Sequence, residues 1–478
     1  MIRRLRHAPG PGETGSLRVA RADVLGSLSS GGCIFCRREG ESVGRFFFWY
    51  LHEGYSQPEN VERLRRSGGF CPAHTSFLIQ QAVPQTVASI YLPLISAAAE
   101  DLRGEGGAFS LEAPCPACTA ARRGRENLLS SLVSSLRDGE VRGALRRSRP
   151  LCLPHLLWLA PTLSWDELTF VVGMMLDEIQ EGIRTGSLST PLWGSPHPGE
   201  SPPPEAPPAT SGTPGRGWSP AVAELRFDLS RPGCPVCRAE EEGLGRYLSW
   251  LSREGAEQPH HRWEEALGLC GEHGRAFGEL SEASGRLLTE LASRWQEKLG
   301  ALGDALREER PPEGFLPRLA RLPTLFGSLR RESAALPALR QALVRSFEPR
   351  EKVLQRLRGP VLQRSPCPAC RSAKTAGRSK ADLLWRALSD PETRRTYEES
   401  DGLCLRHLPP TLSLCEDGAA KEVLSGTARS RMLILQWELR EYQRRQSWNA
   451  RHERKGPEQD AWRRAVAACS GITGEVKP

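Results

Sequence analysis

The sequence predicts a mainly α-helical protein: four tandem zinc-clasped helical modules, arranged A–B–A–B in two duplicated halves. Three observations predict it. A CxxC pair is followed at nearly constant distance by a CxxH pair, four times over. Apolar residues recur at intervals of three and four, the helical period. Alternation of the strand kind is nearly absent.

The cysteine pattern carries the chemistry. Cys33 and Cys36 precede Cys71 and His74 with 34 residues between the pairs, and Cys115 and Cys118 precede Cys152 and His155 with 33. Cys234 and Cys237 precede Cys270 and His273 with 32, and Cys367 and Cys370 precede Cys404 and His407 with 33. Twelve of the 14 cysteines are used this way, leaving Cys415 and Cys469. Two ligands two residues apart reach one ion from a tight turn, and a second pair brought in by folding completes a tetrahedral Cys₃His zinc site. Read along the chain, each CxxC shares its ion with the CxxH that follows it. Three thiolates and Zn²⁺ carry one net negative charge, which suits a helix N-terminus. The residues after each pair read as helix starts.

Other uses of the same residues fit less well. A haem c site needs histidine directly after the second cysteine, and those positions are Arg37, Thr119, Arg238 and Arg371. A thioredoxin-like CxxC needs a βαβ setting. A deaminase pattern is approached only by Cys270, Glu272 and Pro366–Cys367. The other copies put Ala73, Pro154 and Arg406 where its glutamate belongs. An iron–sulfur cluster with Cys₃His ligation is the remaining alternative.

The elements follow in order. Residues 1–30 read as a disordered leader, with a basic start and no apolar stretch after it. Module A1 spans 31–110, with a stripe of Val43, Phe46, Phe47, Tyr50 and Leu51 after its CxxC, and Trp49 at the stripe's edge. Pro84 kinks or breaks the helical segment after its CxxH. Module B1 spans 111–189 and includes WDELTFVVGMMLDEI, whose Met174 and Met175 belong to a core. Residues 190–220 hold ten prolines and read as a semi-extended linker; His197 there is no ligand. Module A2 spans 221–304 and aligns with A1 without a gap in the stretch after the second cysteine: Arg37, Glu39, Arg45, Trp49, Glu53 and Gly54 fall opposite Arg238, Glu240, Arg246, Trp250, Glu254 and Gly255. Residues 305–360 are a helical insertion. Module B2 spans 361–447, with Leu136, Asp138, Glu140 and Arg142 of B1 opposite its Leu388, Asp390, Glu392 and Arg394. A basic tail covers 448–478. Modules this small are marginal without help, so the ion belongs to the fold.

Composition narrows the function. The net charge of +8 permits contact with nucleic acid without demanding it. No run of 18 apolar residues predicts a membrane span. A long chain with no export signal argues for metal over disulfides, and for the cytoplasm.

The stretch CPVCRAEEEGLGRYLSWL followed by LGLCGEH resembles the repeat of a bacterial family of uncharacterised helical proteins, which shows a CPxC pair, an acidic helix with an aromatic, and a GxCxxH. Residues 31–80 and 230–275 carry the resemblance, with Cys33, Cys36, Cys71, His74, Cys234, Cys237, Cys270 and His273 at its motif positions. It implies metal binding and a helical fold, and no reaction.

Three functions are open at this point. The first is a non-enzymatic zinc-binding scaffold for a protein partner, since closed sites offer no open position to a substrate and the chain has no P-loop, nucleophile motif or HExxH. The second is nucleic-acid binding. It would use Arg440, Arg444, Arg445, Arg451 and Trp448, with Tyr442, Arg454 and Lys455, or the cluster Arg142, Arg146, Arg147 and Arg149. The third is thiol redox or metal handling. Cys415 reads as a small buried apolar residue.

Overall fold

The computed structural model describes residues 15–28, 31–103, 113–148, 151–188, 192, 220–253, 269–280, 284–308, 367–450 and 452–471. Among the described residues there are helices and turns and no strand. The helices are α1 Gly15–Ser27, α2 Ile34–Trp49, α3 Pro58–Arg66, α4 Pro72–Gln81, α5 Pro84–Asp101, α6 Pro116–Ser135, α7 Gly139–Ser148, α8 Leu153–Leu159 and α9 Trp165–Thr185. They continue as α10 Pro220–Ser230, α11 Pro235–Arg253, α12 Gly271–Leu280, α13 Ser284–Glu308, α14 Pro368–Ala387, α15 Pro391–Glu399, α16 Leu408–Leu414, α17 Gly418–Gln446 and α18 Ala461–Ser470.

The starts of these helices are written in the sequence. Proline opens α3, α4, α5, α6, α10, α11, α14 and α15, where its fixed φ suits the first turn and its missing N–H is no loss. Pro84 divides α4 from α5 as its position predicts. Ser164 and Glu167 form a capping box ahead of α9. Asp390 caps α15 by accepting the Thr393 N–H.

The chain divides into two compact units: residues 1–34, 128–194 and 285–365, and residues 35–127, 195–284 and 366–478. In the first unit α13 lies on α9. The Trp165 indole N–H donates to Leu306 O at 2.9 Å, and Gly303 faces Val172 and Leu176. Met174 and Met175 are buried in α9, as expected. Residues 15–27 correct the expectation of a disordered leader: they form α1, with Val24 fully buried. Arg21 of α1 pairs with Glu140 and, at 3.6 Å, with Asp138.

The second unit has one large core. Val43 and Phe47 of α2 and Tyr50 just beyond its end are buried in it, and Phe46 and Leu51 pack against it. Helix α17 runs along α5, its Gln436 and Gln443 donating to Ser96 Oγ at 2.8 Å and Ser89 Oγ at 3.1 Å. Helix α18 also packs on α5. It lies inside what reads in the sequence as a basic tail, yet Trp462, Val466 and Cys469 bury its inner face. Arg226 of α10 ties that helix to α15 through Asp390 at 2.6 Å and Thr393 Oγ1 at 3.0 Å. Residues 1–14, nearly all of the linker at 190–220, and the insertion except 305–308 lie outside the described residues.

Candidate metal centres

The ligand pairs sit where the sequence places them, at helix starts. Cys71, Cys152 and Cys367 occupy the N-cap positions of α4, α8 and α14. Cys33, Cys115, Cys234 and Cys270 immediately precede α2, α6, α11 and α12. In each of these pairs the second ligand falls within the first turn, so the backbone N–H ends of two helices face one ion. Cys404 departs from the rule: it lies in a turn, and His407 is the N-cap of α16.

All sixteen predicted ligands are brought together in four quartets, but with different partners from those expected. The quartets are Cys33, Cys36, Cys152 and His155 (site 1); Cys71, His74, Cys115 and Cys118 (site 2); Cys234, Cys237, Cys404 and His407 (site 3); and Cys270, His273, Cys367 and Cys370 (site 4). Each CxxC therefore shares its site with the CxxH of the other module in its half, and the two closures are nested. Loop closure explains why spacing could not decide this. The cost rises only as the logarithm of length, so the outer closure of about 115 residues costs only about 1 kcal/mol more than closing about 34.

Helix packing shows how the exchange is accommodated. The helices that follow the two CxxC pairs lie against each other. In the first half a Cβ on Gly124 of α6 would stand 2.0 Å from Ser42 Oγ and 2.8 Å from its Cβ, on α2. In the second half a Cβ on Gly243 of α11 would stand 2.6 Å from Ala376 Cβ on α14. Such contact holds each A module to its B module, so the nearest CxxH to a given CxxC in space is not the nearest in sequence.

The dimensions fit one ion per quartet. Within each quartet all ligand atoms lie within 4.8 Å of one another. Sulfur to His Nδ1 distances are 3.2 and 3.3 Å at site 1 for Cys152 and Cys33. They are 3.1, 3.6 and 3.3 Å at site 2 for Cys71, Cys115 and Cys118. They are 3.7, 3.1 and 3.4 Å at site 3 for Cys234, Cys237 and Cys404. At site 4 they are 3.4, 3.6 and 3.2 Å for Cys270, Cys367 and Cys370. Sulfur–sulfur distances are 3.7 Å for Cys71–Cys118, 3.6 Å for Cys237–Cys404 and 3.9 Å for Cys270–Cys370. Zinc–sulfur bonds of about 2.3 Å and zinc–nitrogen bonds of about 2.0 Å give tetrahedral edges of roughly 3.8 and 3.5 Å. A disulfide would bring the sulfurs to about 2.05 Å, and none of the 14 cysteines is joined to another by one.

The electrostatics also call for a cation. Burial works against charge on His74, yet hydrogen bonds to Cys115 and Cys71 outweigh it and push its pKa up to about 9. His273 is pushed up to about 10 and His407 to about 12 by the same contest, with Cys367 and Cys370, and Cys234 and Cys404, prevailing over burial. At site 2 hydrogen bonds from Cys118 and Cys71 push Cys115 down, while Cys118 is pushed up by those to Cys115 and Cys71. Three sulfurs this close share protons uneasily, and a divalent ion satisfies all of them at once.

Two supporting groups do not stand out as site residues in the sequence. Glu240 Oε2 lies 3.2 Å from His407 Nε2, the carboxylate–imidazole arrangement that orients a metal-bound histidine. Its counterpart Glu39 pairs with Arg125 at 2.9 Å. The matching register of Glu39 and Glu240 is visible in the sequence; the target of Glu240 is not. Gly471, at φ 74°, closes α18 against site 3, where a Cβ would stand 2.5 Å from Cys237 Sγ. Nearby, Leu405 N–H donates to Ala468 O at 2.8 Å and Arg406 donates to Ser470 O at 3.2 Å.

The residues considered for nucleic acid are arranged otherwise. Arg444 is held by Glu441 and Glu453, each at 2.8 Å. Arg445 is held by Glu441 at 2.7 Å and Glu458 at 3.0 Å. Tyr442 is buried, Arg440 and Trp448 are exposed, and Arg451 lies outside the described residues. Arg142 and Arg146 both sit over the Phe170 ring, 5.1 and 5.2 Å from its centre. Cys415 is buried, its thiol donating to Asp417 O. No helix among the described residues is long and apolar enough to cross a membrane.

No family model, curated protein or solved structure matches this chain.

Proposed function

We propose that the protein is a non-enzymatic helical scaffold whose four quartets each hold a structural zinc ion, and that it presents its helical surfaces to a protein partner. The observation that carries this reading is the one-ion spacing of the four quartets. Three thiolates and one imidazole saturate a tetrahedral zinc and leave no position for a substrate. The same spacing favours a single ion over a multi-iron cluster, whose thiolates are spread over several metal atoms. Cysteines reserved for a metal rather than for disulfides belong in a reducing compartment, which supports a cytoplasmic protein. The resemblance to the bacterial CPxC…GxCxxH family belongs to the same proposal. Leu433, Ile434 and Trp437, exposed together on α17, are the kind of surface a partner covers. Nucleic-acid binding is disfavoured by the carboxylates already paired with Arg444 and Arg445.

Elemental analysis of protein purified without added metal tests the proposal. Close to four zinc per chain, with no iron, is expected. Iron with acid-labile sulfide, or no metal, would end it. Salt-dependent retention of bulk RNA or DNA would revive the nucleic-acid reading.

A further inference from the structure

The four quartets are not equivalent, and the difference repeats in both halves. At sites 1 and 3 all six cysteines are buried: Cys33, Cys36, Cys152, Cys234, Cys237 and Cys404. At sites 2 and 4 Cys71, Cys270 and Cys370 are half-buried and Cys118 is exposed, while Cys115 and Cys367 are the more covered sulfurs of their quartets. The split follows the module logic. A site made from the CxxC of an A module and the CxxH of a B module is covered; the reciprocal site faces outward.

A second observation runs the same way within the second half. Nε2 of His407 at covered site 3 is fixed by Glu240. Among the described residues His74 and His273, at outward sites 2 and 4, are bonded through Nδ1 to their sulfurs and no carboxylate lies within ion-pair reach of Nε2. An outer partner of this kind is worth about 10–100-fold in metal affinity. Site 3 is further covered by the end of α18, with Gly471 against Cys237 and Cys404.

We infer that sites 2 and 4 are exchangeable metal sites, trading a thiophilic divalent ion with an external thiolate or chelating ligand, while sites 1 and 3 hold their ions permanently. The inference rests on the zinc reading of the quartets. The exchange is a ligand substitution with no change of oxidation state. A donor atom of the incoming ligand bonds to the ion from the solvent side, an outward thiolate such as that of Cys118 leaves and takes up a proton, and repetition passes the ion on. Buried sulfurs at sites 1 and 3 give an incoming donor no approach short of local unfolding.

The test uses the full zinc-loaded chain and a colorimetric zinc chelator, with release followed in time. Two of four ions should leave in a phase at least about tenfold faster than the other two. Alkylation during the fast phase, read by mass spectrometry, should mark Cys71, Cys115, Cys118, Cys270, Cys367 and Cys370 and spare the six buried cysteines. The double variant Cys118→Ala/Cys370→Ala should lose the fast phase and keep the slow one. Release of all four ions in one phase, or fast labelling of the buried six, would overturn the inference while leaving the scaffold reading intact. A chain that takes up no zinc would overturn both.

Discussion

The two halves solve one packing problem in opposite ways. Where the A and B helices meet, two turns beyond the CxxC pairs, the first half places Ser42 on the A helix and Gly124 on the B helix. The second half places Gly243 on the A helix and Ala376 on the B helix. Position for position the glycine has changed sides. What both halves keep is that one of the two residues lacks a side chain, so the backbones approach closely and the ligand pairs at the helix starts can be exchanged. The carboxylate one turn after the CxxC shows the same liberty: Glu39 pairs with Arg125, whereas at the position matching Arg125 stands Gly377, and Glu240 lies over it and reaches His407.

Breaking this comparison begins with the ions. Stripping all metal should cost on the order of 10 kcal/mol per site and abolish the helical circular-dichroism signal in both halves together; a folded metal-free chain would show that helix packing alone suffices. Next come the crossings. Gly124→Ala and Gly243→Ala should each destabilise by about 1–3 kcal/mol through overpacking, measured by urea melts. The exchanges Ser42→Gly with Gly124→Ala, and Gly243→Ala with Ala376→Gly, should recover most of that loss by giving each half the other's arrangement. Additive losses would mean that the glycines are not partners across the crossing.

Smaller effects sharpen the difference between the halves. Glu240→Gln should weaken zinc at site 3 by about 10–100-fold in competition with a chelator, with the first half unchanged. Gly471→Ala, strained at positive φ and aimed at Cys237, should likewise loosen site 3 alone. The smallest effect concerns Glu441. Hydrogen bonds from Arg444 and Arg445 hold its pKa down at about 2. Because the folded value lies below the ordinary one, its contribution is present above about pH 4.5 and fades as pH falls toward 2. Glu441→Gln should flatten that part of the stability profile, the more so at low salt.

Much of this is legible in the sequence because ligand chemistry and helix starts are local. CPAC, CPVC and the Pro after Cys71 announce both a ligand pair and the first turn of a helix, and Pro84 marks a break that the chain makes. The stripe of Val43, Phe47 and Tyr50 fixes which face of α2 is buried. Partnership is not legible. Each pair can close with any other at nearly the same entropy, and the residues that choose, Gly124 and Gly243, look like ordinary glycines until a second helix is laid on them. The segments that read as leader and tail mislead for a related reason. Their arginines obscure Val24, Trp462 and Val466, which are buried, α18 packing on the distant α5 as well as on the neighbouring α17.

Counting zinc in two double variants tests the exchanged partnership directly. Cys71→Ser/Cys118→Ser removes two ligands of one site in the nested arrangement and should leave about three ions per chain. Cys118→Ser/Cys152→Ser strikes two sites and should leave about two. The reverse outcome, two ions in the first variant and three in the second, would mean that each CxxC is closed by the CxxH that follows it, and would contradict the nested pairing on which the four sites are built.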